Sequence, residues 1–211
     1  MTRHPHHPPP HLNPPPRGGR TLGKGSAQRG AGMLEVLITI VISAFGLLAI
    51  AGLQARMHVA EMEAAQRAHA TMLLRYITDR INANRKDAMA YVTATPRGVD
   101  NGIQDCSALA GPALDLCEWN NLLAGSAETH GSQLVGAMIG ARGCVINTDA
   151  VMPRKFTVAI VWQGLSATVS PTSTTCANDK YADAKTRRAM VAPIVIGCLQ
   201  NDINTGLCIT P

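Results

Sequence analysis

Apolar positions fall into three regimes along the chain. From Ala31 to Leu53 they run almost unbroken, and only Glu35, Thr39, Ser43 and small glycines interrupt them. About 20 such residues suffice to cross a bilayer as a helix. From Gln54 the chain turns polar but keeps helical spacing. Leu73, Ile77 and Ile81 recur at i, i+4, i+8 with Tyr76 beside them, while Arg56, Glu63, Arg67, Arg75, Asp79 and Arg80 supply the polar remainder. No proline occurs between Pro16 and Pro96, so one helix from about Ala31 to Arg85 is expected, roughly 80 Å long at 1.5 Å per residue. Beyond it the period changes. "GPALDLCEWNNLLAG" reads as a short helix with Leu116, Trp119, Leu122 and Leu123 on one side, and "SQLVGAMI" as a second. "GCVIN" and "RRAMVAPIVIGC" read as strands. "RKFTVAIVWQ" alternates with Phe156, Val158, Ile160 and Trp162 on one face and is the clearest strand. Pro193 puts the last strand at an edge or a bulge.

The expected fold class is α+β. A long N-terminal helix, apolar in its first half, packs its amphipathic second half on one face of a small antiparallel sheet. The long turn-rich stretch 164–186 links two of the strands. The expected division is 1–30 as leader, 31–53 as membrane helix, 54–88 as its amphipathic continuation and 89–211 as the head.

Charge sharpens this division. The formal net charge is +5. Arg3, Arg17, Arg20, Lys24 and Arg29 all lie in the first 30 residues, which hold no acid, and the rest carries 14 basic and 14 acidic side chains. The basic excess belongs to the leader, so no nucleic-acid partner is expected for the head. Positive charge just before an apolar segment keeps the amino end in the cytoplasm and sends the remainder outside. The leader itself, "HPHHPPPHLNPPPRGGR", has no composition for a core. Its His4, His6, His7 and His11 suit a disordered segment better than a metal site. "GGRTLGKG" nearly matches a phosphate loop, but Gly25 stands where a hydroxyl would bind magnesium and no strand precedes it.

Cys106, Cys117, Cys144, Cys176, Cys198 and Cys208 all follow the apolar segment. An even set on the outer side of a membrane points to disulfides. Six cysteines allow many connectivities, and sequence alone does not choose among them. Local spacing favours Cys106–Cys117 around a turn into the short helix and Cys198–Cys208 at the tail, which leaves Cys144 for Cys176. With aromatics at 3%, the head has a modest core, where such bridges matter most. No catalytic pattern, cofactor site or metal site emerges. His58 and His69 fall on the long helix and His130 in a loop, and Trp119 and Trp162 suit the core. The chain reads as a structural protein and not an enzyme.

Glu35 is the anomaly, because a charge in hydrocarbon costs at least about 2.5–3.5 kcal/mol. A cleaved secretory signal ending at "AIA" (49–51) leaves it unexplained and has too long an apolar run. The segment "RGAGMLEVLITIV" instead resembles the class III signal of type IV pilins and pseudopilins. In that family a prepilin peptidase cuts after a glycine, and a glutamate is fifth in the mature chain. The resemblance makes Gly30 the residue before the cut, Ala31 the new amino terminus and Glu35 the fifth residue, although the family more often has phenylalanine or methionine at the first. It implies that Glu35 neutralises the terminal amine of a neighbouring subunit during assembly. The stretch from Gly46 to Gln54, the "DRINANR" run at 79–85, "DLCEWNNLL", the Gly143–Cys144 strand, the strand ending in Trp162 and the "RR" before the last strand resemble the PilV family of type IV pilus modification proteins, which are minor pilins. The implied fold is type IV pilin-like, with a disulfide-stapled head in the periplasm and a helix in the inner membrane. The implied partners are other pilins, minor pilins and the prepilin peptidase. A minor pseudopilin of a type II secretion system is the nearest alternative. An adhesive, ligand-binding pilus tip subunit is another.

Overall fold

Helix α1 occupies Ala31–Ala83. The computed structural model describes residues 31–126, 129–130, 133–134, 138–149, 151, 154–201 and 208–210. The leader, with Gly30 and the near phosphate loop, lies outside the described residues. The chain divides into two units, Met1–Ile50 and Ala51–Pro211, and each is described by itself.

In the first unit α1 has no sidedness. Met33, Leu34, Ile38, Ile42, Phe45 and Leu48 point in different directions around the axis, and all are at least half exposed. Mean hydropathy in the most apolar 18-residue window of α1 reaches 2.6. A helix that is apolar all round belongs in a membrane or among other helices, not in water. By length and composition it is able to cross a bilayer.

In the second unit the same helix becomes one-sided. Ala70, Leu74, Ile77 and Ile81 are buried at intervals of four, three and four residues, with Leu73 and Tyr76 partly buried beside them. Helical spacing predicts Ile77 and Ile81, but Leu74 rather than Leu73 is the stripe's innermost leucine. The α-helix ends at Ala83, slightly before the expected Arg85. Asn84 leaves helical geometry at φ −109°, ψ 48°, and a 3-10 helix continues over Arg85–Tyr91.

The sheet that α1 covers has four antiparallel strands. In chain order they are β1 (Arg97–Gly98), β4 (Arg142–Asp149), β5 (Arg154–Gln163) and β6 (Arg187–Ile196), and this is also their order across the sheet. Helix α2 (Gly111–Leu123) packs beside α1. Two further two-stranded ladders join β2 (Thr129–His130) to β3 (Gln133–Leu134), and β7 (Gln200–Asn201) to β8 (Cys208–Thr210). The segment 132–139, expected to be helical, therefore contributes a strand. It has the apolar content of a helix, but Gly131 precedes it and Gly136 interrupts it, and glycine disfavours helix continuation.

Alternation along β5 explains the core. Phe156, Val158, Ile160 and Trp162 face α1, joined by Val145 from β4 and by Ile194 and Ile196 from β6. Each such buried side chain contributes about 1.5–3 kcal/mol over its exposed state. Ala159 and Val161 point to the opposite face, yet they are buried as completely. There the stretch 164–186 folds back over the sheet, and Cys144, Cys176, Ala177 and Tyr181 complete a second apolar cluster. Alternation within β5 describes the first face, whereas the cover of the second comes from a segment with no period of its own. Pro193 sits in β6, an outer strand of the sheet, where a missing N–H is tolerated.

Candidate functional site: the apolar segment and the stapled head

Glu35 is exposed on the second turn of α1, and the apolar side chains around it are exposed as well. Ala31 is the first residue of that helix. Gly30, before the expected cut, lies outside the described residues, and so does the side chain of Ala31.

Two of the expected disulfides are present. Cys106 joins Cys117, and Cys144 joins Cys176. The first ties the segment before α2 to the buried side of α2. The second pins the stretch 164–186 to β4 across the second face of the sheet. Cys198 is also disulfide-bonded. The expected Cys198–Cys208 pair involves a side chain outside the described residues, although Cys208 stands opposite Asn201 in the backbone ladder.

A polar network joins α1 to α2, and neither periodicity nor spacing announces it. Arg80 Nη1 reaches Asp115 Oδ1 at 3.0 Å and Nη2 reaches Glu118 Oε2 at 3.5 Å. Tyr76 donates its hydroxyl to Glu118 at 2.5 Å, and Tyr91 donates to Asp115. Asn84 donates to the Tyr91 oxygen at 2.7 Å and to Asp115 at 3.2 Å. Burial pushes the Tyr76 phenol up to about 12, and its bond to Glu118 adds to the shift. Burial raises Tyr91 as well, with Asp115 reinforcing it. Both phenols thus remain donors at neutral pH. The nearly buried Asp115 is compensated by Arg80, Tyr91 and Asn84, as a buried carboxylate must be. This network accounts for the "DRINANR" run. Arg80 and Asn84 grip α2, Ile81 enters the core, and Arg85 Nη2 donates to the Gly197 carbonyl at 3.0 Å.

Two more arginines organise the opposite face. Arg142 makes a two-pronged pair with Asp100 at 2.8 and 2.6 Å, and its guanidinium carbon lies 5.0 Å from the Tyr181 ring centre. Those hydrogen bonds hold the Asp100 carboxyl below its usual range. Arg187 is 2% exposed and donates to the carbonyls of Pro171, Thr174 and Cys176 at 2.7–3.2 Å. Burial lowers its pKa, and the carbonyls satisfy its donors. Its neighbour Arg188 instead meets Glu63 of α1 at 3.1 Å and the Ser166 carbonyl at 2.7 Å. Burial opposes ionisation of Glu63, but Arg188 and the Ser166 hydroxyl outweigh it and hold that carboxyl low. The adjacent arginines of "RR" therefore serve opposite faces, as strand alternation requires.

His58 lies 3.4 Å from Glu61 on the exposed helix surface. Trp119 and Trp162 are core residues. The described residues hold no cluster of His, Cys, Asp and Glu suited to a metal.

No protein-family model, no curated protein and no solved structure matches this chain.

Proposed function

We propose that this chain is a minor subunit of a type IV pilus. In this reading prepilin peptidase removes the leader after Gly30, residues 31–53 anchor the protein in the inner membrane, and the α+β head lies in the periplasm before the subunit joins or primes the fibre. The observation that carries the reading is the change of character within α1. It is apolar on every side around Glu35 and one-sided where it covers the sheet. A helix of that kind suits a protein that sits first in lipid and later among the helices of its neighbours. The disulfides support an oxidising compartment for the head.

Within this reading Glu35 pairs with the α-amine of an adjacent subunit. The Glu35→Ala chain inserts in the membrane and is processed normally, because a charge has been removed from hydrocarbon. Losing one partner of a buried charge pair costs about 2–5 kcal/mol, so entry into fibres falls by about tenfold or more. Immunoblots of sheared fibres and of membranes measure both. Mutant fibres containing wild-type amounts of the chain sink the pairing. The same blots address the secretion-system alternative: a subunit absent from sheared pili but required for export of a secreted enzyme belongs to that machinery instead.

A further inference from the structure

A cleft of about 580 Å³ opens on the head between the 3-10 helix at Arg85–Tyr91, β1 and the start of α2. Its size falls within the range of small-molecule sites. Leu109, Pro112 and Leu116 form an apolar wall, and Arg97, Gln104 and Asp87 supply the polar groups. Arg97 is held in place by its backbone, which pairs with Gly143 in the sheet. Among the described residues, its Nε is buried without a hydrogen-bond partner. Asp87 lines the same cleft, yet the two form no ion pair. Arg85 and Arg154 also carry a buried Nε without a partner, but of these three arginines Arg97 is the one that lines the cleft.

We infer that this cleft binds a small monocarboxylate with an apolar body. The carboxylate accepts from the guanidinium of Arg97, whose planar fork matches it in geometry. The hydrocarbon part lies against Leu109, Pro112 and Leu116. Asp87 sets the charge limit, because a second carboxylate in the same cleft meets a like charge. The site thus favours a monoacid over a diacid and an acid over its neutral amide. This inference does not depend on membership of a pilus.

The test uses the full chain in lipid nanodiscs, with 4-methylvalerate, its amide and glutarate as probes in ligand-detected NMR titrations at neutral pH. The expected result is saturable binding of the monoacid, with the amide and the diacid each weaker by about tenfold. Arg97→Met removes the preference of acid over amide. Asp87→Asn narrows the gap between monoacid and diacid. Leu109→Trp, at a half-exposed position that tolerates bulk, blocks all three probes while leaving thermal unfolding of the head unchanged. Monoacid binding that survives Arg97→Met undiminished overturns the inference. So does equal binding of acid and amide to the wild type, or the absence of saturable binding by the monoacid.

Discussion

Replacing Gly143 by alanine is expected to unfold the head at moderate denaturant. A Cβ at this position would meet the Trp119 indole, with Cζ2 at 2.5 Å, and Leu123 Cδ1 at 2.8 Å. Trp119 has little room to withdraw. It is fully buried, and its indole N–H donates to the Leu73 carbonyl at 3.1 Å, so retreat breaks that bond and disturbs α1 as well as α2. Overpacking a dense core costs about 1–3 kcal/mol or more, a large part of the 5–15 kcal/mol that holds a typical domain together. Both tryptophans of the chain belong to the head, so urea unfolding followed by their fluorescence reports on it even in the full-length protein. The Gly143→Ala midpoint should fall sharply. Adding Trp119→Leu to that background should cost less than it does in the wild type, because removing the indole also relieves the clash. Independent, additive effects of the two changes would contradict the contact.

Removing the Cys144–Cys176 bridge carries the second large effect. The bridge closes a separation of 32 residues, worth about 3–4 kcal/mol in the chain-entropy model. It also fastens a segment with almost no regular structure over Ala159 and Val161. Without it, the cover rests on Arg187 with its three carbonyl acceptors and on Tyr181, which donates to the Gly140 carbonyl at 2.9 Å and packs in the apolar cluster. The Cys144→Ser/Cys176→Ser chain is therefore expected to lose stability by that amount and to open to trypsin at Lys180 and Lys185. The first face of the sheet and its contact with α1 should persist. Cleavage no faster than in the wild type would show that Arg187 and Tyr181 suffice without the bridge. Cys106–Cys117, with a separation of 11 residues, gives a smaller loss on the same argument.

These two contacts mark how far the amino-acid sequence could be read. Period alone placed Ile77, Ile81 and the inward residues of β5, because a helix stripe and strand alternation are local properties. "DLCEWNNLL" and the Gly–Cys strand stood out as separate pieces, but nothing local joins them. They are one contact, in which a missing side chain on β4 makes room for an indole from α2. The second face of the sheet escaped for a similar reason. Its cover is a loop without periodicity, and the buried Arg187 that anchors it looks in sequence like any charged residue beside Arg188. Asp115 likewise reads as a polar helix position, since its partners Arg80, Asn84 and Tyr91 lie 24–35 positions earlier. The segment 132–139 misled because apolar content without clear period suits either element over so short a span. Glu35 was legible as an anomaly, since a carboxylate at the head of an apolar run needs a reason wherever it occurs.

Whether that run is a pilin-type signal is decided by the amino-terminal residue of the membrane-bound protein. The protein is extracted from membranes and its terminus determined by Edman sequencing or by mass spectrometry of the terminal peptide. A pilin-type signal yields a chain that begins at Ala31, and Gly30→Leu leaves the leader attached. A chain that begins at Gly52 and is found soluble in the periplasm would contradict the claim, because the apolar run would then be a discarded secretory signal and Glu35 would have no place in the mature protein.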